Sequence, residues 1–181
     1  IGPRQAITGA TAGGVNKLSD AQVLKGANVW PTVPDAPTGV SATTGGNNTS
    51  IGKDSLTNNT TGAKNNSIGV RALTANTTGG NNNAVGYQAL DANTTGSQNT
   101  ALGHSSLGAN TTANDNTAVG YETLKANTTG TRNVAVGTQA LDANTTADYN
   151  TAVGYKALSG NTTGELNVAI GTFALPNSTT A

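Results

Sequence analysis

The sequence contains no cysteine, no methionine and only one histidine, and its 181 residues include a single tryptophan and a single phenylalanine. Without cysteine, neither a disulfide framework nor a thiolate metal site is possible. A lone histidine, His104, excludes a histidine-based metal cluster within one chain, and we expect its side chain to face solvent. No stretch approaches the roughly 20 apolar residues that span a bilayer, so we expect no membrane insertion.

Charge is also scarce. Charged residues make up 10% of the chain, against roughly 25% in ordinary soluble domains, and nine positive side chains balance nine negative ones. This balance gives no electrostatic reason to bind nucleic acid. The acidic residues stand at variable spacing and form no constant pair of the kind a glycosidase uses; they include Asp91, Asp115, Glu122, Asp142 and Glu165. We therefore predict a protein that is not an enzyme and binds no cofactor.

What the sequence does contain is a repeat of 17 residues. The segment NTAVGYETLKANTTGTR, residues 116–132, is followed by NVAVGTQALDANTTADY, residues 133–149, which repeats its outline. We number the places of this unit from 1 to 17, starting at the Asn that opens it. Gly at place 5, Leu at place 9, an aliphatic residue at place 4 and a Thr-Thr pair at places 13 and 14 recur in every unit. The place-1 residues follow in steps of 17 without insertion: Asn48, Asn65, Asn82, Asn99, Asn116, Asn133, Asn150 and Asn167.

An unbroken period of this length predicts identical units stacked against each other. Seventeen residues are too few for a helix pair, and the unit offers two short runs of strand-forming residues, such as NTAVGY and ALDANTT. The sequence therefore predicts an all-β fold, a parallel β-solenoid or β-roll of eight 17-residue coils over residues 48–181. In such a stack the place-1 asparagines form a hydrogen-bonded ladder, and Gly at place 5 suits a corner with positive φ or a close approach of two backbones.

The predicted core is thin. Each coil carries two large aliphatic side chains, at places 4 and 9, and these supply roughly 3–6 kcal/mol when both are buried. Ordering 17 residues costs several times that amount. Three chains packed together would bury more surface per residue, so we expect a homotrimer.

Place 6 and the Thr pair are the candidate surface features. Place 6 is Tyr in alternate coils, and Tyr87, Tyr121 and Tyr155 are expected to form a row about 10 Å apart on one face. The NTT element matches the N-glycosylation acceptor pattern, but an Asn that serves a corner turn or a ladder is the interpretation we favour. Stacked threonines also suggest an ice-binding face, although the two threonines are adjacent and do not alternate along a strand.

The first 47 residues do not repeat, and we assign residues 1–47 to an N-terminal adaptor or cap. KLSDAQVLKG predicts a short helix capped by Ser19 and ended at Gly26, and PTVPDAPTGVSATTGG predicts an extended, proline-rich linker. PDAPTGVSA also resembles the opening strand of a fibronectin type III domain, whose other strands are missing. Trp30 is the candidate anchor of this segment, either against a partner or as a cap over the end of the solenoid.

The segments NTAVGYQAL, NTAVGYKAL and NVAIGTFAL share an N-x-A-[VIL]-G core that resembles the head repeats of trimeric autotransporter adhesins. The chain is also similar to the Asn-, Thr- and Gly-rich repeats of phage tail-fibre shafts. Both resemblances cover residues 48–181 and imply a trimeric β-roll. The adhesin repeats are shorter than 17 residues.

The repeat and the resemblances together predict a structural fibre segment, from a phage tail fibre or a similar appendage, that presents a host- or surface-binding region. The expected partners are other copies of the chain and a host glycan or protein, and the expected location is a virion or a cell surface. The alternatives are a bacterial surface adhesin, a self-polymerising extracellular filament subunit and, less favoured, an ice- or glycan-binding module. Because the last coil ends two residues short of a full unit, we expect either a fragment or one link of an end-to-end polymer.

Overall fold

The computed structural model describes residues 44–177 of the chain and leaves out residues 1–43 and 178–181. The predicted N-terminal helix, Trp30 and the proline-rich linker up to residue 43 therefore lie outside the described residues. Within the described range the chain forms eight short strands and no helix. The strands are β1 (Thr49–Ile51), β2 (Asn66–Ile68), β3 (Asn83–Val85), β4 (Thr100–Leu102), β5 (Thr117–Val119), β6 (Val134–Val136), β7 (Thr151–Val153) and β8 (Val168–Ile170).

The eight strands form one parallel sheet whose order follows the sequence from β1 to β8. Neighbouring strands pair residues that are 17 apart, so that Thr117 pairs with Val134 and Ala118 with Ala135. The same shift relates every other pair of neighbours. The predicted parallel β-solenoid is thus confirmed, with one strand in each coil. At the usual strand spacing the sheet extends over about 34 Å from β1 to β8.

The second strand predicted in each coil, from runs such as ALDANTT, is wrong. These residues form turns, because places 7 and 9 have left-handed backbone angles that interrupt a strand. Leu124, at place 9 of coil 5 (residues 116–132), has a φ of 51°. The turns are nevertheless bonded to the next coil: the amide of Leu124 donates to the carbonyl of Ala140 at 3.0 Å, and that of Thr128 to the carbonyl of Thr145 at 2.9 Å.

Gly at place 5 makes the corner after each strand. Its φ lies between 125° and 138° in all eight coils. A Cβ added to Gly120 would lie 2.7 Å from the carbonyl oxygen of Gly137 in the next coil. Both predicted reasons for this glycine, the positive φ and the close approach of two backbones, are confirmed.

The interior of the solenoid holds one large apolar side chain per coil. Leu at place 9 is fully buried in seven successive coils, from Leu56 to Leu158. Small alanines at places 3 and 8, such as Ala135 and Ala140, pack around it in one continuous cluster. This core is narrow because the residues at places 3 and 8, which pack around each leucine, are alanine, serine or threonine.

The aliphatic residue at place 4 is not part of this core, which corrects the expectation that it would be buried. Side chains alternate across a strand, so place 3 faces inward while places 2 and 4 face outward. In β4, Ala101 is fully buried whereas Leu102 is 45% exposed. Burial therefore contributes about 1.5–3 kcal/mol per coil from one leucine, half of what two buried residues would supply.

Candidate functional site

The asparagines at place 1 form a continuous ladder inside the solenoid. The backbone amide of each one donates to the side-chain Oδ1 of the asparagine one coil earlier, at 2.8–3.0 Å, through all seven steps from Asn48 to Asn167. The side-chain amide donates within its own coil, as from Asn116 Nδ2 to the carbonyl of Gly130 at 2.8 Å. From Asn65 to Asn150 these side chains are at most 1% exposed, so their polar groups are used inside the coil.

A second asparagine ladder runs along place 12, the first residue of the NTT element. Asn127 Nδ2 donates to Asn110 Oδ1 at 3.1 Å and to the carbonyl of Gly130 at 2.9 Å. The same two bonds recur in the other coils from Asn76 to Asn161. Because every place-12 asparagine from Asn59 to Asn161 is fully buried, an N-linked glycan there is incompatible with the folded coil.

The Thr pair directs its two side chains differently. The hydroxyl of Thr128, at place 13, donates to the carbonyl of Thr145 in the next coil at 3.0 Å. Thr129, at place 14, is exposed. In coils 1 to 6 the place-13 hydroxyl is thus used within the solenoid, and place 14 presents a single row of threonines to solvent. A single row is narrower than the two-dimensional array that ice binding would need.

The outer sheet face comprises the outward side chains at places 2 and 4 of the eight coils. Place 4 is Ile, Val or Leu in every coil, place 2 is Thr, Asn or Val, and neither place carries a charged residue. The face measures about 34 Å by about 10 Å from the strand spacing and rise. Its exposed apolar members are Ile51, Leu102, Val134, Val136, Val168 and Ile170. A continuous apolar stripe of this kind marks an interaction surface.

Place 6 lies at one rim of this face, directly after the Gly corner. Tyr87, Tyr121 and Tyr155 are 45%, 48% and 42% exposed. His104, also exposed, lies between the first two, and its ring stacks on Tyr87 at 5.1 Å and on Tyr121 at 5.2 Å between centroids. Since the rings of Tyr87, His104 and Tyr121 stack on one another, they present their edges to solvent. They therefore offer a sugar ring no flat aromatic platform.

In residues 44–177 the charged side chains, apart from Lys53 at place 6 of coil 1, stand outside places 2, 4 and 6, and three ion pairs join some of them. Lys125 Nζ lies 2.7 Å from Glu122 Oε1, and this hydrogen bond lowers the pKa of Glu122 and raises that of Lys125. Burial raises the pKa of the carboxyl groups of Asp91 and Asp142. Arg71 Nη2 lies 3.7 Å from Asp91 Oδ2 and partly opposes that shift.

A shallow hollow of about 240 Å³ lies over Gly108, where the row of place-10 side chains is interrupted. Asp91 and Lys125 flank it, and both are engaged by the ion pairs just described. Residues 44–177 contain no group of three or more side chains that could hold a metal ion. In the same part of the chain, no helix is long and apolar enough to cross a membrane.

No protein-family model, no curated protein and no solved structure matches this chain. The architecture and its surfaces are therefore the basis of the functional conclusion, and the outer sheet face is the candidate site.

Proposed function

We propose that the protein is a non-enzymatic structural fibre segment, from a phage tail fibre or a similar appendage, which presents a host- or surface-binding region. The observation that carries this proposal is the outer sheet face: a row of aliphatic side chains follows every coil on the outside of a solenoid whose interior is already filled. The resemblance of the N-x-A-[VIL]-G repeats to autotransporter adhesin heads and phage tail-fibre shafts supports the same role.

The bonding between coils supports a mechanical role. Each coil is joined to the next by strand pairing, by two asparagine ladders and by backbone bonds within the turns. A coil cannot shift without breaking several of these bonds at once, and further coils extend the structure without requiring any new kind of contact. Such a unit suits a spacer that holds a recognition surface at a fixed distance.

The outer sheet face supports association with other copies of the chain as a homotrimer. Its area of about 340 Å² equals that of the largest apolar patch on a typical monomer, and such patches are often functional. Three copies with this face turned toward a common axis would remove all three stripes from water together. The place-4 aliphatic residue then has a reason to be invariably apolar, although it lies outside the core of its own chain.

The further partner in this proposal is a host glycan or protein, and the location is a virion or a cell surface. The exposed rows at place 6 and place 14 repeat at every coil or every second coil. Weak contacts repeated along one axis add up through avidity, which suits a fibre that meets a receptor array.

Sedimentation equilibrium tests the association. The wild-type chain of 17.8 kDa is expected to give three times that mass. Leu102→Glu, in the middle of the outer sheet face, is expected to sediment as a monomer, because three unpaired carboxylates would be buried at the trimer axis. Thr95→Glu, at the exposed place 14, adds the same charge outside the proposed interface and is expected to remain trimeric.

A wild-type chain that sediments as a monomer at every concentration would contradict the proposed trimer. A mass that rises steadily with concentration would instead favour the self-polymerising filament. Equal disruption by Leu102→Glu and Thr95→Glu would show that the interface does not lie on the outer sheet face.

A further inference from the structure

In coils 5 to 8, place 2 and place 6 exchange their apolar character from one coil to the next. Coils 5 and 7 read NTAVGY, with Thr at place 2 and Tyr at place 6, whereas coils 6 and 8 read NVAVGT and NVAIGT, with Val at place 2 and Thr at place 6. Place 4 stays aliphatic throughout. In each of these four coils, one rim of the outer sheet face carries a threonine and the other carries a more apolar residue.

Contacts within one chain do not account for this exchange. Places 2 and 6 lie at opposite rims of the face, about 10 Å apart by the rise of a strand and the corner at place 5. Between coils, place 2 pairs with place 2, as Thr117 does with Val134. Place 6 stacks on place 6, as His104 does on Tyr121. A direct contact between the two rims therefore needs a second molecule.

We propose that the chains of the trimer associate in register, so that place 2 of one chain packs against place 6 of the next chain in the same coil. This inference rests on the proposed trimer and adds its geometry. In a three-fold assembly whose axis runs along the solenoid, the place-2 rim of each face meets the place-6 rim of its neighbour at the same height. Tyr121 then covers Thr117 of the adjacent chain, and Thr138 meets Val134.

The charge pattern agrees with a copy of the same face as the partner. In coils 2 to 8 no Asp, Glu, Lys or Arg stands at places 2, 4 or 6, and Lys53 is the exception at place 6 of coil 1. An uncharged partner face leaves no buried charge without a counterion. Each contact between rims in coils 5 to 8 joins one threonine to one valine or tyrosine, so every contact pairs a threonine with a more apolar side chain.

Engineered cysteines test this contact against a clean background, because the chain has none of its own. Thr117→Cys combined with Tyr121→Cys places one thiol at each rim of coil 5. Their separation of about 10 Å within a chain exceeds the roughly 7 Å between Cα atoms that a disulfide can bridge. Any disulfide must then join two chains, and oxidation by oxidised glutathione is expected to yield a covalent trimer on a non-reducing gel.

Two controls define the register. Thr117→Cys alone is expected to give no covalent species, because like rims do not meet in a three-fold assembly. Thr117→Cys combined with Tyr155→Cys, two coils further along, is expected to give none either. Covalent dimers from the single variant would overturn the inference in favour of two-fold pairing. A covalent trimer from the offset pair but not from the pair within coil 5 would overturn the register.

A double-mutant cycle tests the match in apolar character. Tyr121→Thr is expected to lower the Tm of the trimer, and adding Thr117→Val, which makes coil 5 read like coil 6, is expected to restore at least half of the loss. Tyr121→Thr combined with Thr151→Val, at the rim of coil 7, is the control and should give additive shifts. Additive shifts in the first pair as well would overturn the inference, even where sedimentation confirms the trimer and hence the proposed function.

Discussion

At the scale of the residue, the distinctive feature is asparagine inside the protein. Two asparagines are buried in each of coils 2 to 7, and their side chains bond to neighbouring coils and to the turn of their own coil. With one leucine per coil, apolar atoms do not fill the interior, and the backbone polar groups there need hydrogen-bond partners. The amide side chains satisfy those groups, and in residues 44–177 the buried side-chain polar atoms without a hydrogen-bond partner are Thr57 Oγ1 and Asp142 Oδ1.

Replacing Asn127 by Asp should destabilise the solenoid by about 3–5 kcal/mol at pH 7, because a charge would be buried and the bonds to Asn110 and Gly130 would be lost. Urea unfolding followed by circular dichroism measures this loss. Burial would raise the pKa of the new carboxyl, so the variant should regain stability as the pH falls and the carboxyl is protonated. Asn81→Asp, at an exposed turn, is the control, with an expected change within about 0.5 kcal/mol.

A second prediction at this scale concerns the corner glycine. Gly120→Ala should cost about 2–4 kcal/mol, because its Cβ would lie 2.7 Å from the carbonyl oxygen of Gly137 and its φ is 137°. Gly108→Ala is the matched control, since the nearest atom would be 3.3 Å away and the neighbouring coils carry side chains at the same place. Equal urea midpoints for the two variants would contradict the account of the corner.

At the scale of the element, a coil is one strand of three residues followed by a long bonded turn. The strand, the Gly corner and the place-1 ladder could be predicted, because each depends on a residue type at a fixed place. The exposure of place 4 could not, since an apolar residue that faces its own core has the same identity as one that faces another chain. Nor could the turns, because residues such as Leu124 rarely adopt positive φ and give no local signal of it.

Two leucines, one buried inside a coil and one exposed on its outer side, test this arrangement. Leu124→Ala, at the fully buried place 9, should cost about 2–5 kcal/mol by leaving a cavity. Leu102→Ala, at the exposed place 4, should lower the unfolding midpoint only while the chains are associated, so its effect should disappear on dilution. Thermal unfolding at two protein concentrations measures both. A loss for Leu102→Ala that does not change with dilution would place that side chain in the core of its own chain.

At the scale of the whole molecule, the stability of stacked coils is a sum of similar units and of the contacts between neighbours. In coils 5 to 8, the exchange of apolar character between places 2 and 6 adds a longer period of two coils. The sequence predicts both periods, whereas it leaves open which side of each strand faces the interior. That distinction required the alternation of places 2, 3 and 4 within a strand whose inner neighbour is known.

Deletion of residues 116–149 removes two whole coils and joins Asp115 to Asn150 without disturbing the order of places. The shortened chain should keep its circular dichroism signal per residue, and its urea m-value should fall by about a quarter, in line with the surface removed. Deletion of residues 116–141, which is not a multiple of 17, is the control and should abolish pairing beyond the junction. Equal folding of the two shortened chains would contradict an in-register stack.

The direction of the asparagine ladders bears on how the chain is made. In each step the later coil donates to an oxygen that the earlier coil already holds in place, as Asn133 donates to Asn116. A ribosome delivers the N-terminal coils first, so every coil finds its template finished when its own 17 residues emerge. The growing polypeptide can thus fold one coil at a time. No long unfolded segment has to persist until a residue distant in the sequence has been synthesised.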